Sequence, residues 1–337
     1  MDSTNGSVHP DFLLLGLSSH PGQEHLLFSL FFCMYLLNLL GNLLILLLTR
    51  SDPRLRGSPM YFFLSHLSLV DVCFTSTTMP KMLANLRAQR QGIPYIGCLV
   101  QMYFFVAFAI TENFLLGAMA LDRYLAICRP LRYAVLMSPL RRQALVGSSW
   151  LLAHIHSLLH TLLMSRLSFC GRTRLPHFFC DFQPLLALAC SRKRLNELLS
   201  FLEGGVLIIG PFLLIVLSYA RILWAVLRVP ERRGKAFQTC GAHLAVVGLF
   251  YGTAISVYFR PLSSYSGDRD KLATVMYTVV TPTLNPFIYS LRNQDIKAAL
   301  SQGLDRLRGA WWGWGQESRG RRRYSLRPKL LIVNYRA

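Results

Sequence analysis

The chain has 337 residues, of which 53% are hydrophobic and 15% charged, and its formal net charge is +20. A soluble globular domain carries roughly 25% charged residues, so this composition excludes an ordinary soluble domain and favours a membrane protein.

The first element along the chain is the apolar run from Leu26 to Thr49, which contains no charged residue. Its length exceeds the roughly 20 residues that a helix needs to cross about 30 Å of hydrocarbon. Six further apolar segments follow, at about residues 59–80, 97–121, 144–164, 198–224, 240–259 and 272–291. Because backbone N–H and C=O groups cannot stay unpaired in lipid, we expect seven transmembrane helices, called spans 1 to 7 below.

The two ends of the chain differ in charge. Residues 1–25 contain no Lys or Arg, whereas residues 292–337 contain eleven. Basic segments stay on the cytoplasmic side, so the sequence predicts an extracellular segment (1–25), a membrane domain (26–300) and a basic, Trp-containing cytoplasmic tail (301–337). The Trp and basic residues of this tail suit the anionic inner lipid leaflet, and a disordered tail without function is the alternative. The tripeptide beginning at Asn5 is a glycosylation acceptor, which agrees with an extracellular N-terminus.

Four of the eight cysteines lie on the predicted outer side: Cys98, Cys170, Cys180 and Cys190. Disulfides form in oxidising compartments, so we expect two bridges here. Three pairings of four cysteines are open at this point.

Two carboxylates, Asp71 in span 2 and Glu112 in span 3, lie near the predicted mid-depth of the membrane. A carboxylate inside the bilayer is costly unless it is paired or hydrated, so each marks a candidate functional site. Three roles are open: the pair can share a sodium ion, one carboxyl can hold a proton, or each can hydrogen-bond a neighbouring helix.

The inner end of span 3 carries Asp122, Arg123 and Tyr124 after an almost wholly apolar run. At 100° per residue, Phe105, Glu112 and Arg123 fall on one face, and residues 105–123 rise about 27 Å. One face of span 3 therefore joins the two sides of the membrane, and Arg123 is suited to a latch at the inner side. The alternative is an interfacial charge pair that only marks the helix end.

Span 7 contains Asn285, Pro286 and Tyr289. Proline removes a backbone hydrogen bond and makes a bend point, while Asn285 and Tyr289 share a face beside it. Such a segment can switch between two packings, and a static structural role for each of these residues is the alternative. Span 5 contributes a second tyrosine, Tyr219, near its inner end.

Six stretches of the chain, in this order and spacing, resemble the olfactory receptor family of rhodopsin-like G-protein-coupled receptors. They are SPMYFFLSHLSLVDVCFTSTTMPKML (58–83), MALDRYLAICRPLRY (119–133), SYARI (218–222), KAFQTCGAHL (235–244), LFYGT (249–253) and PTLNPFIYSLRN (282–293). The resemblance covers the chain from Phe12 to about residue 300. It implies an all-α membrane protein with a rhodopsin-like seven-helix bundle.

The resemblance also implies a function. It implies an odorant receptor, with no catalytic residues, that binds small, largely apolar volatile molecules in the outer half of the bundle. The implied protein partner is a heterotrimeric G protein of the olfactory stimulatory type, which gives a cyclic-AMP response. The implied location is the plasma membrane of the cilia of olfactory sensory neurons, and the chain crosses this membrane several times. We expect membrane lipid as a further partner, no nucleic acid and no cofactor, with sodium as an allosteric ligand at Asp71 and Glu112.

Site residues follow from the same resemblance, position by position. The implied ligand-binding residues are Phe105, Val106, Ala109, Ile110, Leu207, Ile208, Tyr251, Ile255, Tyr258, Val275 and Thr278. The implied G-protein switch consists of Asp122, Arg123, Tyr124, Tyr219, Asn285, Pro286 and Tyr289. The implied disulfides are Cys98–Cys180 and Cys170–Cys190.

Two other classes of protein compete with this interpretation. A transporter would also use Asp71 and Glu112, but it usually shows internal repeats, and we see none in the sequence. A membrane enzyme would use His156 and His160, which are spaced i and i+4 like metal ligands, but no third ligand stands out. Hydrogen bonding inside the membrane is the alternative for these histidines. Glu203 in span 5 either faces the ligand pocket, where it would favour a polar or cationic odorant, or is structural.

Overall fold

Seven long helices dominate the computed structural model, which describes residues 11–17, 22–88, 91–228, 233–258 and 267–305. Side chains within these ranges are described except at 233–239, 257–258, 267–270 and 291–292. Spans 1 to 6 are Glu24–Ser51, Pro59–Ala88, Tyr95–Cys128, Pro139–Ser165, Arg194–Leu227 and Arg233–Tyr258. Span 7 consists of Gly267–Val275, a π-helical turn at Met276–Val280 and Thr281–Arg292. Each apolar segment of the sequence falls on one of these helices, so the predicted all-α seven-helix bundle is confirmed.

Hydropathy separates the helices into two kinds. Among the described residues, spans 1, 3 and 5 are long and apolar enough to cross a membrane by length and composition alone. Span 2 carries more polar side chains, among them Ser68, Asp71 and Thr75, and all three are buried in the bundle. A polar residue that faces other helices does not meet lipid, so span 2 is compatible with a bilayer despite its composition.

Span 3 lies at the centre of the bundle. In its most apolar stretch 72% of the residues are buried, against 22% in spans 1 and 5. Span 3 packs against spans 2, 4, 5 and 6, whereas span 1 packs against spans 2 and 7. Its residues are therefore positioned to contact most of the other helices.

A small three-stranded sheet lies at the predicted outer side, and the terms outer and inner keep this predicted sense below. Its strands are β1 (Phe12–Leu14), β2 (Gly92–Ile93) and β3 (Arg174–Leu175), and β1 is the middle strand. It pairs antiparallel with β2 and parallel with β3. The alternation of strand side chains turns Phe12 and Leu14 to one face, and both are buried in a cluster with residues from span 3 and the second outer loop. We call the sheet together with residues 174–188 the outer lid.

Short helices complete the described chain. The outer lid ends in Phe182–Leu188, whose N-terminus is capped by the side chain of Asp181. On the inner side, Pro53–Arg56 follows span 1, while Pro130–Arg132 and Tyr133–Leu136 follow span 3.

The domain boundaries at residues 25 and 300 stay a prediction. Residues 294–305 form a helix in a separate unit of the chain. Asn5 and most of the predicted tail lie outside the described residues.

Candidate functional site

Aromatic rings surround Phe105 in the outer half of span 3. Its side chain is buried, and its ring centroid lies 4.9 Å from that of Phe74 in span 2 and 4.6 Å from that of Phe179 in the outer lid. Tyr277, in the π-helical turn of span 7, contacts both Phe74 and Phe105. Three spans and the lid therefore meet at one apolar centre.

The other residues of the predicted ligand set differ in exposure. Ile110, Tyr251, Val275 and Thr278 are buried; Val106, Ala109, Leu207 and Ile208 are half-buried; and Ile255 is exposed. The side chain of Tyr258 lies outside the described residues. The Thr278 hydroxyl donates to the carbonyl of Thr274 one turn earlier in the same helix, at 2.8 Å.

A polar network crosses the bundle through two members of this set. The hydroxyl of Tyr251 in span 6 donates to Oδ1 of Asn113 in span 3. Nδ2 of Asn113 donates in turn to the backbone carbonyl of Leu207 in span 5, at 2.8 Å. The network joins spans 3, 5 and 6 in an otherwise apolar region. Sequence reasoning missed Asn113, although a polar residue next to Glu112 at mid-span was a usable signal.

The two disulfides are Cys98–Cys180, which fastens the lid to span 3, and Cys170–Cys190, which joins the chain on either side of residues 174–188. This is the pairing that the family resemblance implies. Gln101 supports the first bridge, since its Oε1 accepts from the backbone N–H of Cys180 and its Nε2 donates to the carbonyl of Thr77, both at 2.9 Å. The lid is thereby tied to spans 2 and 3.

His177 is enclosed in the lid beside Phe178 and Phe179. Burial, followed by the positive charge of Lys271, lowers the pKa of His177 from its ordinary value of 6.5 to about 3. This imidazole is therefore neutral at physiological pH.

Asp71 and Glu112 are both buried and lie close enough to interact electrostatically. Asn285 of span 7 donates through Nδ2 to both carboxylate oxygens of Asp71, at 3.2 and 3.0 Å. The structure thus brings the predicted carboxylate pair together with a residue predicted for the switch.

Two buried oxygens of this group are without a hydrogen-bond donor among the described residues. They belong to Glu112 (Oε1) and Asn285 (Oδ1). Hard cations take oxygen ligands, so two carboxylates and an unpaired amide oxygen fit a sodium ion.

At the inner end of span 3, Arg123 pairs with Asp122 through two nitrogens, one of them Nε at 3.0 Å. The side chain of Asp122 is 1% exposed and that of Arg123 11%, so the pair is largely withdrawn from solvent. Tyr133, in the short helix after span 3, donates its hydroxyl to the other oxygen of Asp122 at 2.7 Å. Sequence reasoning missed Tyr133, because its pairing depends on how the chain folds back after Cys128.

The remaining residues of the predicted switch lie around the same inner region. Tyr124 and Tyr219 pack against a buried cluster formed by Ile222, Val226 and Cys240. The hydroxyl of Tyr219 and Nδ1 of His243 are 2.7 Å apart. Further along span 7, Pro286 lies inside the helix, and Tyr289 is buried with a hydroxyl that has no partner among the described residues.

Glu203 of span 5 faces span 4, where its Oε2 lies beside His156 and His160. It is therefore the acidic neighbour of these two histidines that the sequence did not identify.

Comparison with known proteins agrees with this geometry. A profile of the family described as olfactory receptor matches residues 31–306. A rat olfactory receptor is 56% identical over 306 residues, covering 90% of this chain and 97% of the relative. Human olfactory receptor 1F1 is 54% identical over 309 residues, covering 91% and 99% of the two chains.

Squid rhodopsin is a structural neighbour, with a TM-score of 0.65 over 87% of this chain and 91% of its own at 19% identity. This match shows the fold. None of these comparisons supports the transporter interpretation or an enzyme. The extent and identity of the sequence matches show that the chain belongs to the olfactory receptor family of membrane-embedded signalling receptors.

Proposed function

We propose that this receptor binds small, largely apolar odorants between the outer halves of spans 3, 5, 6 and 7. Binding leads it to activate a stimulatory G protein, which raises cyclic AMP. The observation that carries the proposal is the apolar centre around Phe105, closed by the ring of Phe179 in the lid and bordered by one polar network through Tyr251. Such an environment favours a ligand that is held by desolvation plus one or two hydrogen bonds.

The predicted ligand set limits the affinity. None of its members carries a charge, so the ligand gains no ion pair from them. Small ligands contribute at most roughly 1.5 kcal/mol per heavy atom, and usually much less. We therefore expect dissociation constants in the micromolar range or weaker, on the order of 8 kcal/mol or less of binding free energy.

Signal transfer follows as a shift between two populations. An odorant that contacts span 6 near Tyr251 alters the bond from Tyr251 to Asn113, and so the packing of span 6 against span 3. In the signalling state the inner ends of spans 5 and 6 move away from Arg123 and leave a crevice for the G protein. The odorant shifts this equilibrium only by its difference in affinity for the two states.

Sodium is an allosteric ligand in this proposal. Asp71, Glu112 and Asn285 would hold the ion between spans 2, 3 and 7, where it supplies the positive charge that two buried carboxylates lack. The ion therefore stabilises whichever packing of span 7 keeps Asn285 beside Asp71.

The cellular setting belongs to the same proposal. The receptor acts in the plasma membrane of olfactory cilia, with its N-terminal segment outside and its basic tail in the cytoplasm. The charge difference between the two ends of the chain supports this orientation.

A cyclic-AMP assay tests the proposal directly. Cells that carry the olfactory stimulatory G protein and the receptor are screened with a broad odorant panel, and surface receptor is measured with an antibody. We expect at least one odorant to raise cyclic AMP, Arg123→Ala to abolish the response, and Tyr251→Phe to shift the dose–response curve.

Tyr35→Phe is the matched control, because the hydroxyl of Tyr35 pairs with Ser76 between spans 1 and 2 and lies outside the ligand set. A response that survives Arg123→Ala at equal surface expression would contradict the proposed switch. A shift that is the same for both tyrosine variants would contradict the proposed pocket.

A further inference from the structure

Three side chains that could hold a metal converge between spans 4 and 5, away from the sodium site. Oε2 of Glu203 lies 3.3 Å from Nδ1 of His156 and 3.6 Å from Nε2 of His160. One ligand atom from each residue falls within 4.8 Å of the other two. Because His156 and His160 are one helical turn apart, both imidazoles face span 5 from the same side of span 4.

The two distances to Glu203 match the spacing of ligands around one ion. Nitrogen and carboxylate oxygen lie about 2.0–2.2 Å from zinc, so two ligands in a tetrahedral site are about 3.3–3.6 Å apart. A set of two histidines and one glutamate is a known zinc-binding combination, which leaves a fourth position for water or another small ligand.

Hydrogen bonding accounts for only part of the arrangement. Nδ1 of His156 lies within hydrogen-bond distance of Oε2 of Glu203. Within the described part of the chain, neither ring nitrogen of His160 has a hydrogen-bond partner, since Oε2 of Glu203 is 3.6 Å from its Nε2. The His160 side chain is only 4% exposed, with the ring of Phe182 in the lid 5.2 Å away. A buried imidazole without a partner is costly, and a metal ion at Nε2 would satisfy it.

The cluster lies in the outer halves of spans 4 and 5. His156 and Glu203 each lie nine residues from the outer end of their helix, which is about 14 Å along the axis. Glu203 is 37% exposed, against 11% for His156, so the carboxylate marks the open side of the cluster. The set carries one negative charge and two imidazoles, which suits a divalent ion.

We propose that His156, His160 and Glu203 form a binding site for a divalent transition metal ion, with Zn²⁺ as the ion that the ligand set fits. The bound ion joins span 4 to span 5 beneath the outer lid. Imidazole nitrogen favours zinc and copper over magnesium or calcium, so the hard cations should not replace zinc there.

Direct zinc binding to the purified receptor is the test, and it needs no odorant. The receptor is purified through an antibody epitope rather than a polyhistidine tag, stripped with a chelator and titrated with Zn²⁺. We expect one zinc per chain and a rise in the midpoint of thermal unfolding that EDTA reverses. His160→Ala and Glu203→Gln should each bind zinc at least about tenfold more weakly, since even outer partners of metal ligands contribute about 10–100-fold.

Matched variants separate a ligand role from a merely structural one. His25→Ala and Glu197→Gln remove an exposed histidine and an exposed acid of the outer side and should bind zinc like the wild type. Glu203→His replaces the carboxylate by another zinc ligand, so it should retain binding where Glu203→Gln loses it. If wild type and His160→Ala bind zinc equally, or if the wild type binds none, the proposal is wrong.

Discussion

Gly41 of span 1 lies directly against Pro286 of span 7. A Cβ atom at Gly41 would meet Cγ of Pro286 at 2.8 Å and its Cβ at 3.1 Å. The proline ring cannot rotate away, because it is closed onto the backbone. The two helices therefore approach closely at the bend of span 7 because residue 41 has no side chain.

Gly41→Ala should destabilise the receptor. The clash costs about 1–3 kcal/mol and is offset by about 1 kcal/mol of better helix propensity, which leaves a net loss of up to about 2 kcal/mol. Thermal unfolding in detergent measures it. Gly147→Ala is the control, because a Cβ there meets nothing within 4 Å among the described atoms, and its midpoint should stay the same or rise. Equal midpoints for the two variants would refute the close contact.

Sodium should raise the unfolding midpoint of the wild-type receptor, relative to choline at the same ionic strength. At ten times its dissociation constant the ion adds about 1.4 kcal/mol of stability. Asp71→Asn removes a charge from the site and should abolish this difference, whereas Glu197→Gln at the exposed end of span 5 should keep it. If sodium still raises the unfolding midpoint of Asp71→Asn, the ion binds elsewhere in the receptor.

Tyr133→Phe should increase signalling without odorant. The variant removes the hydroxyl that donates to Asp122 and so weakens the hold of Asp122 on Arg123. We expect this bond in the resting state, where losing about 1.4 kcal/mol multiplies the ratio of active to resting receptor roughly tenfold.

Basal cyclic AMP, divided by surface receptor, measures this change, with Tyr35→Phe as the control. Unchanged basal signalling would mean that the hydroxyl of Tyr133 stabilises both states equally.

Acid should weaken the outer lid through His177. The folded pKa of about 3 lies below the ordinary value of 6.5, so between these pH values the unfolded lid binds the additional proton. The contribution of His177 to stability is therefore complete above about pH 6.5 and declines by roughly 1.4 kcal/mol for each pH unit below it.

The measurement is the unfolding midpoint at pH 7 and pH 5. The fall between the two should be smaller in His177→Phe than in the wild type, while His25→Ala, which changes an exposed histidine, should behave like the wild type. If the midpoint of His177→Phe falls as much as that of the wild type, groups other than His177 cause the acid sensitivity.

Apolar length was a reliable guide to the bundle, because a helix that crosses lipid must be continuously apolar on the side that faces lipid. It was a poorer guide to helix ends. Span 3 continues seven residues past the predicted end at residue 121, since Asp122 and Arg123 are paired inside the protein and need not end the helix. The π-helical turn at Met276–Val280 has no comparable signal in the sequence.

The functional sites also differ in how far the sequence could predict their residues. Asp71 and Glu112 were recognisable because a charge is conspicuous in an apolar run. Glu203 lies beside His156 only because span 5 packs on span 4. The spacing of residues along the chain does not show this contact. The strands of the outer lid have two or three residues each, too few to show an alternating pattern.

The middle position of β1 in the sheet delays the completion of the sheet during biosynthesis. This strand is synthesised first, but its partner Leu175 is synthesised 161 residues after Leu14. At about 5–20 residues per second, the strand waits roughly 8–32 s with Phe12 and Leu14 uncovered. The sheet can be completed only when the first four helices and the loop that carries β3 have been synthesised.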